Sequence, residues 1–418
     1  MIRPLTGCFF VYTLLTGLPG RPSAAWAQAD SVPVPVVYRR VPTLRDVADV
    51  GHNVWARITP HDSSRLGEGG KFTWIIPQIG YTLQTRLLAQ LLLNTAFRRE
   101  HANMSTLNAT ATYTQNNQAI FASNSSIWLR NNGWNWTNDW RLMHYPQATY
   151  GLGMYTSTDR RVVSMDYAYL RLYQSLLRRI TSNLYAGAGY QLDLHWNISA
   201  YNSRREFSRI SGYGYGIEGR SVSSGPVLQV VYDNRSNSIN PTGGLFVNAV
   251  LRSNVRVLGS DNNYQSLLVE ARRYLHLSPS SENVLALWTY NSLTLNGNPP
   301  FLDLPSTGWD AGGNVGRGFI QGRFRGKKFL YAETEYRFRI TADRLLGGVV
   351  FANATTVTEP APAQGQPDYT GQFKKVVPAV GAGLRLKMNK FSRTNLCIDY
   401  GFGMDGSHGL FFNLGEVF

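Results

Sequence analysis

The sequence predicts an all-β fold, a transmembrane antiparallel barrel, and three observations carry that prediction. Short segments of alternating apolar and polar residues, bounded by Gly, Asn, Asp, Ser or Pro, fill the chain from about residue 72 to its end. That is the side-chain period of a strand with the punctuation of hairpins. Beyond an apolar leader, no run of about 18 apolar residues could cross a bilayer as a helix. The 418 residues include 40 Gly, 23 Tyr, 19 Phe and 10 Trp, with 16% charged residues, a composition rich in turn formers and interfacial aromatics. In lipid every backbone polar group must find a partner within the protein, and only helices and closed sheets provide that.

The elements follow in chain order. Arg3, the apolar stretch Cys8 to Leu18 and the triplet Ala25-Trp26-Ala27 read as a secretory signal over residues 1–27. Its removal leaves Cys397 as the single cysteine, so neither an internal disulfide nor a cysteine-based metal site is expected. Residues 28–71 carry Pro and charge, with one short helical pattern near 44–54, and read as a periplasmic tail or small plug. Residues 72–418 then divide into sixteen strand segments: 72–81, 86–98, 105–115, 118–130, 134–144, 162–177, 181–197, 224–234, 243–256, 263–276, 283–296, 327–340, 344–356, 377–388, 394–402 and 408–418. Each is near the roughly 9–11 residues that a tilted membrane strand needs, or somewhat longer. An even count puts both barrel ends in the periplasm. The short connections 131–133, 178–180, 235–242, 277–282, 341–343 and 389–393 then share one side, and the long ones 145–161, 198–223, 297–326 and 357–376 share the other.

Particular residues stand out. In the segment 327–340, Glu333, Glu335, Arg337 and Arg339 share one face, and Leu330, Ala332, Tyr336, Phe338 and Ile340 share the opposite one. Before it runs Asn314-Val315-Gly316-Arg317-Gly318-Phe319, in which two glycines let the backbone turn tightly around an arginine. Asp233, Arg235, Pro241 and Gly243 mark a tight periplasmic turn, Pro fixing φ and the Gly243-Gly244 pair tolerating positive φ. Trp128, Trp134, Trp136, Trp140 and Tyr145 fit an interfacial girdle. In the last segment Leu410, Phe412, Leu414 and Phe418 share one face, with Glu416 breaking it near the membrane edge. A terminal strand ending in Phe is expected to signal assembly into an outer membrane. The formal net charge of +15 is assigned to a basic lumen and basic loops rather than to nucleic-acid binding. No serine-hydrolase motif, phosphate loop or metal-spaced histidine pair occurs, so no enzyme, cofactor or metal is expected.

Val315-Gly316-Arg317-Gly318-Phe319 followed by Glu335-Tyr336-Arg337 resembles the sixth extracellular loop and next strand of the BamA/TamA-type outer-membrane proteins, the bacterial surface antigen family. Further places agree in order: Pro77-Gln78-Ile79-Gly80-Tyr81, Asp233-Asn234-Arg235 with Asn240-Pro241-Thr242-Gly243, Gly381 to Leu386 with Ile398-Asp399-Tyr400-Gly401, and Asn413 to Phe418. The resemblance implies that the long sixth loop folds into the lumen. There Arg317, Gly318 and Phe319 would lock against Glu333, Glu335 and Asp399, with Asn353 standing where the family usually has an acid. It also implies protein assembly, translocation or export at the outer membrane of a Gram-negative bacterium, with membrane lipid and client or accessory proteins as partners of a monomeric barrel. Residues 28–71 are too short for a periplasmic module of the family's POTRA kind. A passive transport pore or a structural, partner-anchoring barrel is the alternative.

Overall fold

Among the described residues, period-two patterning folds into sixteen long antiparallel strands and one short one. The computed structural model describes residues 44–47, 71–82, 84–156, 162–200, 213–277, 283–310, 312–360, 372–390 and 393–418. The signal over 1–27 and nearly all of the 28–71 tail lie outside the described residues. Strands β1 to β5 are Lys71–Thr82, Arg86–Arg98, Met104–Thr114, Ala119–Trp128 and Trp134–His144. A three-residue β6, Gln147–Thr149, was not expected and continues the line of β5 along the next strand. Strands β7 to β12 are Val163–Arg179, Leu184–Ala200, Gly219–Asp233, Gly244–Asn254, Tyr264–His276 and Val284–Gly297. Strands β13 to β17 are Lys328–Arg339, Leu346–Val357, Val377–Asn389, Thr394–Gly403 and His408–Leu414. Each long strand pairs antiparallel with its sequence neighbour, β5 passing over β6 to pair with β7.

The sheet is a nearly closed barrel. Strand β1 pairs with β2 from Lys71↔Phe97 to Thr82↔Arg86, and β17 pairs with β16 from Leu396↔Leu414 to Phe402↔His408. These two edge strands approach one another, but among the described residues no ladder of paired residues joins them. Alternation sorts the side chains. Ile79, Leu228, Val350, Val380 and Leu384 are exposed on the outer face, where apolar side chains are soluble in lipid. Phe329, Tyr331, Glu333, Glu335 and Arg337 on β13 are buried on the inner face. Trp134, Trp136 and Trp140 face outward, each near 39% exposed. Trp128 and Tyr145 do not join this girdle. Trp128 turns inward, edge-on to Tyr185 at 5.0 Å, and Tyr145 is buried edge-on to Trp309 at 5.5 Å. Their positions, on the inner-face register of β4 and just past the end of β5, decide this.

Two further boundaries differ from the sequence reading. Strand β9 begins at Gly219 rather than 224, lengthening the wall toward the long loops. The last strand ends at Leu414 rather than Phe418. Gly415, with φ +92°, turns the chain inward, so Phe418 does not share the lipid face of Leu410 and Phe412. At the short-turn end of the barrel, Arg45 donates its N–H to Asp343 O at 3.1 Å, and Asp46 Oδ2 accepts from Lys390 N at 3.0 Å. This ties residues 44–47 to two neighbouring turns.

Because Leu384 faces outward at mid-strand, Leu384→Arg is expected to destabilise the barrel by about 2–4 kcal/mol, as charges on a lipid face do. The lumen-facing Thr110→Arg is expected to be much milder. Urea-titrated folding into lipid vesicles, followed by gel mobility, measures both.

Candidate functional site

Residues 298–310 and 312–327, between β12 and β13, fold into the lumen as a structure of their own. Thr307 N–H donates to Phe324 O at 3.1 Å, Gly308 N–H to Val315 O at 2.7 Å and Gly322 N–H to Thr307 O at 2.8 Å. Asp310 Oδ1 accepts the Val315 N–H at 2.9 Å and shapes the turn that presents Arg317. Burial raises the Asp310 pKa above the usual carboxylate range. Arg325, fully buried, reaches back to the carbonyls of Leu302 and Leu304 at 3.2 Å, which the short 3₁₀ turn over Phe301–Asp303 leaves open, and joins the Leu304 N–H on the Phe301 carbonyl at 2.9 Å.

Arg317 is completely buried among three carboxylates. Its Nη1 donates to Asp399 Oδ2 at 2.6 Å, and its Nη2 bonds both Glu333 and Glu335. The guanidinium also lies 3.8 Å from the centroid of the Phe351 ring. Asn353, paired with Glu333 across β13 and β14, donates to Arg317 O at 2.9 Å and to Glu333 Oε2 at 3.3 Å. The neutral amide therefore binds the loop backbone rather than its guanidinium. Burial pulls the Arg317 pKa down, but Glu333, Glu335 and Asp399 outweigh it and hold it well above the usual arginine value. Gly318, with φ +101°, packs onto β15 and β16 so closely that a Cβ there would meet Ala379 Cβ of β15 at 2.7 Å, and a Cβ on Gly401 of β16 would meet Gly318 N at 2.7 Å. Two glycines facing each other let the loop backbone touch the wall. Phe319 is buried edge-on to Phe324 at 5.1 Å.

The structure brings all seven of the expected lock residues together, and it adds three that the sequence reading left out. Arg337 Nε donates to Glu335 Oε2 at 2.8 Å. Arg385 Nη2 donates to Asp399 Oδ2 at 3.3 Å, and its Nε to Glu416 Oε2 at 2.8 Å. Three arginines and four carboxylates thus form one connected cluster. The alternation of β13 already placed Arg337 on the face of Glu333 and Glu335. Glu416 carried no such signal, because the turn at Gly415 reverses the face that strand periodicity assigns.

The other expected residues lie at the short-turn end. Asp233 accepts Arg235 Nε at 2.9 Å and Nη2 at 2.7 Å, a two-pronged pair inside one turn, and Arg235 covers the Phe246 ring at 4.4 Å. Pro241 is buried, and positive φ falls on Gly244 (+107°) rather than Gly243. This turn does more than close a hairpin. Ile239 O accepts the Glu416 N–H at 3.3 Å and Asn240 Nδ2 donates to Arg393 O at 3.4 Å, so it spans the barrel mouth to the chain's last residues. Phe418 is buried inside the lumen.

A second charged cluster, unseen in the sequence, occupies the long-loop half. Asp193 pairs with Arg252 and accepts Tyr173 O–H at 2.6 Å, while Arg171 Nε donates to Tyr169 Oη at 2.6 Å. Asp303 hangs into it from the loop, accepting the Ser223 hydroxyl, with His195 Nδ1 at 3.6 Å. Ser223 donates to the Asp303 carboxylate rather than to His195, so these groups do not stand in the Ser–His–Asp order of a nucleophilic triad. Burial, then the neighbouring Asp193, push the Asp303 pKa up to about 7.

The comparisons with known proteins agree with this architecture. The profile of the Omp85 superfamily domain matches residues 101–418. BamA from Haemophilus ducreyi lacking POTRA domains 1-3 is similar in fold, with a TM-score of 0.52 and 16% identity over 82% of this chain and 70% of that one. CdiB from Acinetobacter baumannii gives 0.51 and 12% over 83% of this chain, and CdiB from Escherichia coli gives 0.50 and 10% over 82%. The chain spans 60% of each CdiB chain. No curated protein matches it.

Arg317→Ala leaves buried carboxylates without their counter-charge, so a loss of about 3–5 kcal/mol is expected. The folded, fast-migrating gel band should be lost at lower temperature, and Arg317→Lys should not restore it, since an ammonium lacks the planar fork. For Asp303, a folded pKa raised above its unfolded value favours the docked loop at low pH, and that contribution is lost as pH rises through about 7. Hydrogen exchange of the Phe301–Leu304 amides, corrected for intrinsic rates, should be slower at pH 6 than at pH 8 in the native chain and pH-independent in Asp303→Asn.

Proposed function

This chain belongs to the Omp85 superfamily, and from that premise we propose that it is an outer-membrane barrel of a Gram-negative bacterium that assembles or translocates polypeptides through the seam between β1 and β17. The observation that carries this reading is the unpaired edge itself. Along β1 a row of backbone groups faces β17 with no ladder between them. In lipid each unpaired group costs several kcal/mol, and an exposed edge is a template for another strand. A strand-forming polypeptide satisfies such an edge by addition, its main chain supplying the hydrogen bonds.

The lumen supports the same reading. The locked loop occupies its centre, which disfavours a wide diffusion pore. A cavity of about 990 Å3 remains beside the seam. On β2 to β4 it is lined by the neutral Gln90, Asn94, Asn108 and Asn124, its seam side includes Ile79 and Phe412, and the charged Asp233, Arg235, Arg272 and Glu416 also line it. Asn108 Nδ2 donates to Asn124 Oδ1 at 3.1 Å and Asn94 donates to Asn108. Amides paired in this way offer an extended chain polar contact without a fixed charge. The role is non-enzymatic, and client and accessory proteins are its partners.

The test is a refolding assay in liposomes that contain the barrel. The barrel should accelerate membrane insertion of a urea-unfolded outer-membrane protein. A disulfide between cysteines placed on β1 and β17, in a Cys397→Ser background, should abolish the acceleration until it is reduced. Acceleration unaffected by the cross-link would sink the seam mechanism. No acceleration, with large steady conductance in planar bilayers, would instead make the barrel a passive pore.

A further inference from the structure

The cluster of Asp193, Arg171 and Arg252 borders a second chamber inside the barrel, a cavity of about 400 Å3. Its walls come from β5 and β7 to β12, and its remaining side from the locked loop at Asp303, Leu304 and Trp309. That volume falls within the roughly 300–1,000 Å3 of small-molecule pockets. Thr137, Gln229, Asn248 and Arg272 border both this chamber and the cavity of about 990 Å3 beside the seam. The two volumes therefore adjoin, and a solute has a way in.

The charges on the lining are matched within it. Asp139 stands 3.3 Å from Arg171, Asp193 2.5 Å from Arg252 and Glu270 2.5 Å from Arg272. Asp303 accepts the Ser223 hydroxyl with His195 beside it, and Asp310 accepts the N–H groups of Gly312 at 3.1 Å and Val315 at 2.9 Å. Burial raises the pKa of both loop carboxyls, Asp303 to about 7, which weakens their fixed charge. An ion entering the chamber would have to break a buried pair to gain a partner, and breaking such pairs is strongly unfavourable. Neutral hydrogen-bonding groups stand between the pairs: Gln191, Gln229, Asn248, Ser266, Ser292 and Tyr290. Gln229 Nε2 donates to Asn248 Oδ1 at 2.8 Å, which leaves the carbonyl of one amide and the NH2 of the other for a further partner. Two buried donors on the lining, Arg252 Nε and Trp309 Nε1, have no hydrogen-bond partner among the described residues. Buried donors of this kind call for an acceptor.

Flat rings supply the rest of the lining. Trp288 and Tyr290 meet edge-on at 6.3 Å, and Trp309 meets Tyr169 edge-on at 6.4 Å. The electron-rich face of an aromatic ring attracts the weakly positive C–H groups on one side of a sugar ring. Amides and paired Arg–carboxylate groups set donors and acceptors side by side, as adjacent sugar hydroxyls require. We propose that this chamber is a binding site for a neutral oligosaccharide. Trp288, Tyr290 and Trp309 meet its C–H faces, and the Gln229 and Asn248 amides, the Tyr290 hydroxyl and the open N–H groups bond its hydroxyls. The ligand is a soluble sugar rather than a lipid headgroup, because the chamber lies in the lumen on β5 and β7 to β12. That position, away from β1 and β17, also separates the sugar site from the seam mechanism, so either stands if the other fails.

The experiment applies the purified, dye-labelled full-length barrel to an array of neutral and acidic oligosaccharides. The detergent is lauryldimethylamine oxide, which has no sugar headgroup to compete. Each sugar that is bound is then titrated free in solution by tryptophan fluorescence, since Trp288 and Trp309 line the chamber. Neutral oligosaccharides should bind and quench or shift the emission. Tyr290→Phe and Trp309→Phe, each checked for the heat-modifiable folded band, should weaken that binding by about fivefold or more, the loss of one hydrogen bond. If Trp309→Phe does not fold, Tyr290→Phe still decides, because it removes a single hydroxyl. No binding of any neutral sugar, binding confined to acidic sugars, or unchanged affinity in the folded variants would overturn the proposal.

Discussion

The buried contact between Arg317 and the carboxylates of Glu333, Glu335 and Asp399 is the interaction on which the interior depends. Burying one guanidinium is costly, and burying three carboxylates near one another is costlier still. Neither is tolerable alone, and each makes the other possible. The wall strands therefore carry charges that make sense only if a loop enters to meet them. The loop in turn carries an arginine that makes sense only against that wall. Geometry then fixes the approach, because Gly318 meets Gly401 with no space for a Cβ on either.

From that contact the cluster spreads through Glu335 to Arg337 and through Asp399 to Arg385, and both arginines reach the last four residues of the chain. The loop and the tail are thus parts of one electrostatic unit, joined also by Asn314 to Val417 and to Asn413. The turn at Ile239 holds the tail from the opposite wall. The charged strands β13 to β16 carry the fixed contents of the barrel. The amide-lined strands β2 to β4 carry none of this charge and face open volume beside an unpaired edge. This asymmetry places the capacity for change at the seam and the rigidity opposite it.

Much of this was legible in residue order. The sixteen long strands could be read because each barrel strand repeats the same two-residue period and each turn carries its own punctuation. Arg317 and its partners could be found because the loop and the strand after it resemble those of the surface antigen family, while alternation placed Glu333 and Glu335 on the inward face. Trp128 and Tyr145 were misplaced because a girdle and an inner wall use the same aromatic residues. Only the register of β4 and the exit of the chain from β5 separate the two. The Asp193, Arg171 and Arg252 cluster was missed because its members come from three strands, each contributing a single charge that looks unremarkable in its own segment.

The amino-acid sequence by itself determined the class of fold, the strand ladder and the inward face of β13, because these depend on periods and turns contained within about a dozen neighbouring residues. The tertiary structure decided where the chain's end goes. Gly415 breaks the alternation, so the face on which Glu416 and Phe418 lie depends on Arg385, Arg337 and Trp288, which are distant in sequence. It decided equally that β1 and β17 stay unladdered. Whether two edges meet depends on the closure of the whole sheet, and no local pattern of residues encodes that.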